Sequence, residues 1–334
     1  MNQFDESDEN GLAGVAFSPR RGAKLGIVGA GAVGSTMAYA ALMRGAARTV
    51  ALFDINRAKV EAEVLDLSHG IQFMPMAEVI GADDLAVLAD CDVVMFTAGA
   101  KQKPGQSRTD LAEATISLVS KVLPDLVRVA PNAVYVMVTN PVDVVTYAAL
   151  KISGLPPHQL FGSGTLLDSS RMRFLIAQET GVAVQNVHAY VVGEHGDSEL
   201  PLWSSASLGG VPLLEWSGSG GRGPLTPEVR ERIARDVVDS AYRIIEGKGA
   251  TNYAIALAGS RIIEAILKDE RRVLPVSSLL DDYHGISDVC LSVPAIVGAS
   301  GVAEHLQVPL SSDELAGLHR SADAVRDVAR RFGY

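Results

Sequence analysis

Sulfur chemistry is nearly absent: Cys91 and Cys290 are the only cysteines in 334 residues, and their apolar surroundings differ. Two such residues support neither a disulfide framework nor a metal cluster, so no metal is expected and a reducing, cytoplasmic setting is. Long apolar runs are missing too. Although 48% of the residues are hydrophobic, no uninterrupted stretch is long enough to span a bilayer. The first residues, with Asp5, Glu6, Asp8 and Glu9, are the opposite of a signal peptide. Positive charge is in deficit, since 29 Lys and Arg face 39 Asp and Glu, for a formal charge of −10. That balance argues against nucleic acid or an anionic membrane as partner, and any anionic substrate must be held by local arginines.

What is present starts with the stretch from Lys24 to Asp54. Lys24 to Val28 is short, apolar and β-branched, and Gly29, Gly31 and Gly34 follow in G-x-G-x-x-G spacing, with Val33 inside the motif. An Ala/Met/Leu helix is expected from Ser35 to Arg44, closed by Gly45. Gly29 suits the tight turn, Gly31 lets backbone approach a pyrophosphate, and Gly34 lets helix pack close to strand. Helix N-terminal amides then face the anion. A second apolar run, Thr49 to Phe53, ends at Asp54, where a carboxylate can accept both ribose hydroxyls and repels a 2′-phosphate. NAD is therefore expected rather than NADP.

A chain of this length exceeds one typical core, so two lobes sharing a cleft are expected. Residues 1–22 read as a mobile tail without chemistry, 23–163 as a Rossmann-type doubly wound parallel sheet, and 164–334 as an α+β substrate domain with antiparallel strands. In the first lobe, strand Asp92 to Ala98 leads through Gly99 into a polar stretch ending at Arg108, which reads as a lid beside the nicotinamide site. Strand Val134 to Val138 ends in Thr139, Asn140 and Pro141, which aims Asn140 at the cleft. In the second lobe, helix Leu166 to Thr180 places Asp168 and Arg171 on one face, whereas Arg173 points elsewhere. Strand Val187 to Val192 runs into Gly193, Glu194, His195, Gly196 and Asp197, which exposes a histidine at a strand end. Thr251 is an N-cap candidate for a helix from Asn252, after a helix Pro227 to Glu246. Val273 to Leu280, Val289 to Val293 and Ile296 to Gly298 read as antiparallel strands, and Ser312 to Arg330 as a closing helix.

Together these motifs resemble the NAD-dependent L-lactate and malate dehydrogenase family, and within it the bacterial L-lactate dehydrogenases, over nearly the whole chain. The resemblance implies that His195 is the acid/base, oriented by Asp168, that Arg171 binds the substrate carboxylate, and that Arg108 closes over the carbonyl. It adds Asn140 and Thr251 to the substrate site, and Gly29, Gly31, Val33, Gly34, Asp54, Gly99 and Asn140 to the NAD site. Gln102 stands where malate dehydrogenases carry arginine, so pyruvate and L-lactate are the implied substrates. Arg173 and His188 match the effector pair of the regulated bacterial enzymes, which implies activation by fructose 1,6-bisphosphate, and a homotetramer is implied as well. The competing readings are a malate dehydrogenase or broad 2-oxo acid reductase, with Lys101 or Lys103 neutralising a second carboxylate, and a non-catalytic NAD-binding structural protein.

Overall fold

The computed structural model describes residues 22–99 and 108–334, except for the side chains of residues 108–110. In chain order the first half holds β1 (Lys24–Val28), α1 (Ala32–Met43), β2 (Thr49–Phe53), α2 (Arg57–His69), β3 (Glu78–Ala82), β4 (Val93–Phe96), α3 (Arg108–Val129), β5 (Val134–Met137), α4 (Val142–Ser153) and β6 (Leu160–Gly162). The second half holds α5 (Leu166–Thr180), β7 (Val187–Val192), β8 (Leu200–Leu208), β9 (Val211–Pro212), α6 (Pro227–Lys248), α7 (Tyr253–Leu267), β10 (Arg272–Leu280), β11 (Val289–Gly298), β12 (Gly301–His305) and α8 (Ser312–Arg331).

Strands β3, β2, β1, β4, β5 and β6 lie side by side in that order, all parallel. This is the Rossmann order, with its switch point between β1 and β4. Parallel strands joined by helices are covered on both faces, and every residue of β4 and β5 is accordingly buried. One core lies between the sheet and α3, α4 and α8, and a second lies against α1 and α7. The antiparallel strands β10, β11 and β12 extend the same sheet beyond β6 through the pairing of Ser277 with Gly162. A separate antiparallel sheet, β7-β8-β9, packs with α5 and α6 around a third core. Its link to the large sheet is a two-bond bridge, in which Gly193 and Ser292 exchange N–H···O bonds of 2.9 and 3.0 Å. Among the described residues no helix is long and apolar enough to cross a membrane. Cys91 and Cys290 are both buried and free.

Several sequence expectations shift. Helix α1 begins at Ala32 rather than Ser35, because Gly31 takes the N-cap position and the glycine motif itself forms the first turn. Helix α3 begins at Arg108, the residue at which the polar stretch was expected to end. Helix α6 runs through Gly247 to Lys248 and stops at Gly249, whose left-handed φ of 82° ends it. Thr251 is not the N-cap of α7. Asn252 holds that position, and its side chain donates to Thr36 Oγ1 at 2.9 Å instead of capping. Strand β11 runs unbroken through Pro294, where two shorter strands were expected. Pro294 sits opposite Pro275 in the ladder, so the two residues lacking N–H groups share one position. Strand β12 was missed altogether.

The glycine turn shows why its three glycines differ. Gly29 has φ 99°, and a Cβ there would crowd the Ala98 backbone at 2.9 Å. A Cβ on Gly34 would fall on the carbonyl oxygen of Gly29, whereas one on Gly31 would meet open space. Gly34→Ala should therefore cost about 1–3 kcal/mol of stability. Gly31→Ala should hold or gain up to about 1 kcal/mol while weakening NADH binding, because the methyl enters the space a phosphate needs. Thermal melts paired with NADH titration check both; the reverse pattern would contradict the assignment.

Candidate active site

Helix α5 and the turn after β7 build the centre of the site. Asp168 lies in the first turn of α5 and is 1% exposed. Its Oδ2 is 2.6 Å from His195 Nδ1, and its Oδ1 accepts from Arg171 Nη1 at 2.6 Å. One carboxylate thus joins an imidazole and a guanidinium, each by its own oxygen. With Nδ1 engaged, the Nε2 of His195 is the ring nitrogen left for a ligand. The turn is held from three sides. Gly193 bridges to Ser292, the Glu194 N–H donates to Ser321 Oγ at 2.7 Å, and the His195 N–H donates to Asp143 Oδ2 at 2.8 Å. Asp143, buried in the first turn of α4, ties the nucleotide-side helix to the histidine.

The electrostatics follow from burial and these partners. Burial alone would lower the pKa of His195, but the charge and hydrogen bond of Asp168, helped by Asp143 and Glu199, raise it to about 9. Burial alone would raise that of Asp168, yet His195 and Arg171 outweigh it and hold the carboxyl below the usual range. Burial pushes Asp143 up to about 6 against its bond from the His195 backbone.

A cavity of about 230 Å³ opens onto this set, lined by Asn140, Asp168, Arg171, His195 and Glu199 among others. Its apolar wall comes from Val238, Ala241, Tyr242 and Ile245 of α6 and Val328 of α8. Thr251 is not among the lining residues. Gln102 and the rest of residues 100–107 lie outside the described residues, as does the side chain of Arg108. Asn140 precedes a cis peptide bond to Pro141 and stands exposed at the end of β5. Gly99 lies where a Cβ would meet Thr139 Oγ1, which accounts for glycine there. Arg173 leaves the opposite side of α5: its Nε donates to the Ala189 carbonyl at 2.8 Å and its guanidinium lies 5.2 Å from the Tyr190 ring centre. The exposed His188 is the next residue along β7. Sequence reasoning missed Glu199 and the α6 wall. The spacing of Val238, Ala241, Tyr242 and Ile245 at i, i+3, i+4 and i+7 was a signal for the latter.

The dinucleotide side is equally defined. Asp54 Oδ2 accepts the Ala30 N–H at 2.8 Å and Oδ1 accepts the Asn56 N–H at 2.9 Å, which fixes the acid beside the turn while each oxygen keeps a lone pair. No side chain caps α1 and no acid occupies its first turn, so its amide groups suit a pyrophosphate. The residues present fit NAD, Val33 being packed against the core behind the turn.

A proton held on an imidazole beside a guanidinium suits hydride exchange with an alcohol next to an acid group, and the turn fits the matching dinucleotide: the class is that of NAD-dependent dehydrogenases. Comparison with known proteins narrows it. Residues 23–162 match the lactate/malate dehydrogenase NAD binding domain and residues 165–330 the lactate/malate dehydrogenase alpha/beta C-terminal domain. An L-lactate dehydrogenase of Bifidobacterium animalis subsp. lactis is 59% identical, covering 95% of this chain and 99% of its own. One from Thermoanaerobacter sp. is 43% identical over 92% and 99%. The crystal structure of a lactate dehydrogenase from a Medee basin deep-sea metagenome library superposes with a TM-score of 0.89 at 36% identity, covering 93% of this chain and 99% of that one. The chain belongs to the lactate/malate dehydrogenase family.

With His195 as the proton donor, kcat for reduction should hold at neutral pH and fall as pH rises through about 9. Asp168→Asn removes the main support for that proton and leaves burial unopposed. The alkaline limb of kcat, rather than of kcat/KM, for a 2-oxo acid with NADH should move down by about 1–3 pH units. An unmoved limb would dissociate Asp168 from the proton.

Proposed function

We propose that this chain is an L-lactate dehydrogenase, reducing pyruvate to L-lactate with NADH and running in reverse with NAD, in a reducing, cytoplasmic setting. The observation that carries the reading is the Asp168 carboxylate joined at once to His195 and Arg171 on the wall of one cavity. NADH, when bound, supplies the hydride that reaches C2 of the 2-oxo acid. His195 gives its Nε2 proton to the carbonyl oxygen as negative charge builds there, and takes it back from the lactate hydroxyl in reverse. Asp168 keeps the ring oriented and charged. Arg171 meets the substrate carboxylate with its planar fork, a geometry lysine cannot supply. Arg108 closes over the polarised oxygen, Asn140 adds a donor, and Thr251 contacts substrate as a secondary element. Closure of the stretch from Gly99 to Arg108 excludes water and strengthens each of these interactions. On this reading residues 23–163 hold NAD and residues 164–334 hold substrate.

Gln102 favours pyruvate over oxaloacetate because a neutral side chain leaves a second carboxylate desolvated without a counter-ion. The same reading makes the protein a homotetramer activated by fructose 1,6-bisphosphate through Arg173 and His188. Support for that comes from Arg173 lying against β7 next to His188 while Arg171, two residues away on α5, faces the cavity. Steady-state reduction of pyruvate and oxaloacetate, with and without the bisphosphate, tests the whole. Pyruvate should be preferred, and Gln102→Arg should shift the ratio toward oxaloacetate by more than about tenfold, or 1.4 kcal/mol. The bisphosphate should lower the pyruvate KM in the unmodified protein and not in Arg173→Gln or His188→Gln. An unchanged substrate ratio would remove Gln102 from the pocket, and an equal response in both effector variants would remove the regulatory site.

A further inference from the structure

The proposed reaction assigns no step to Glu199, a half-buried acid of the cavity. Glu199 ends the turn that runs from His195 into β8 and lines the same cavity as Asp168, Arg171 and His195. One of its oxygens lies within 4.8 Å of an Asp168 carboxylate oxygen and a ring nitrogen of His195. Its Oε1 is buried with no hydrogen-bond partner among the described residues. An ionised carboxylate only accepts, so ionisation would leave a desolvated, unpaired charge beside the negative Asp168, and a proton relieves both costs. Burial first, then the Asp168 charge, pushes the Glu199 carboxyl up to about 8 against the pull of His195 and Arg171.

The geometry points to Glu199 as a proton-controlled gate on anionic substrates: neutral, it leaves Arg171 and His195 free to attract a carboxylate, and ionised, it opposes that carboxylate's entry. The inference rests on reading this cavity as the lactate and pyruvate site. The charged and titratable groups that face Glu199 are Asp168 and Arg171 from α5 and His195 and Asp197 from its own turn. Among the described residues, Glu194 of the same turn and Tyr242 of α6 are the other titratable groups of the lining, with the Tyr242 hydroxyl donating to Asp197 at 3.3 Å. Lactate oxidation separates Glu199 from His195, because the two protons act in opposite senses. His195 must be neutral to accept the lactate hydroxyl proton, so loss of its proton raises lactate kcat/KM as pH rises. Loss of the Glu199 proton lowers it.

The test is lactate oxidation with NAD from pH 6.5 to 10 in the unmodified protein and in Glu199→Gln, with thermal melts to verify folding. In the unmodified protein kcat/KM for lactate should pass through a maximum and then fall on the alkaline side, approaching about tenfold per pH unit as expected for one proton. The fall should reside in KM rather than kcat, a split that needs no variant. Glu199→Gln should instead climb to a plateau. The gate is overturned if the unmodified protein shows no alkaline fall, if that fall lies in kcat alone, or if the variant keeps it. An absence of lactate turnover at every pH, in folded unmodified protein, would overturn the lactate reading itself.

Discussion

The site depends on one carboxylate removed from water. Asp168 is 1% exposed and has no solvent to lean on, so its two oxygens are satisfied by His195 and Arg171. Removing one partner from a buried ion pair typically costs about 3–5 kcal/mol, because the remaining charge is stranded. That cost is what makes the arrangement specific: the carboxylate holds the imidazole by Nδ1, keeps it cationic and fixes a guanidinium beside it. The same negative charge that would be expensive alone becomes the support of a proton donor.

Much of the fold serves to keep this group in register. The nine-stranded sheet carries both halves of the chain, with β10 pairing onto β6. The Gly193–Ser292 bridge then links the small sheet to β11, and the bond from the His195 N–H to Asp143 links the histidine turn to α4. Helix α4 begins directly after Asn140 and Pro141, at the end of β5 on the dinucleotide side. Backbone hydrogen bonds and a buried acid thus couple the position of His195 to the strand ends where a dinucleotide is held, with few adjustable side chains between.

The parts legible in the sequence are those written in local spacing. Gly29, Gly31, Gly34 and Asp54 announced the parallel sheet and its ligand, and α5 and β7 fell within their expected bounds. The i, i+3 spacing of Asp168 and Arg171 placed them on one face, while Arg173 faced away, as the helix geometry requires. What was hidden depends on tertiary context. Pro294 looked like a strand end because nothing local says that Pro275 lies opposite. Thr251 had the residue type of a cap, yet Asn252 took the place through a contact with Thr36, far away in sequence. Asp143 and Glu199 are ordinary acids until folding buries the first and half-buries the second at the His195 turn, and lost solvent is the main cause of each one's raised affinity for protons.

The central claim is that a buried carboxylate holds a charged imidazole in the protein before substrate arrives. NMR titration of the protein with nitrogen-labelled histidine, with the His195 signal assigned by its loss in His195→Gln, measures this directly. The account predicts that His195 loses its proton only near pH 9, with Nδ1 still protonated above that pH and Nε2 the site that titrates. A midpoint at or below the ordinary value of 6.5, or titration at Nδ1, would contradict it.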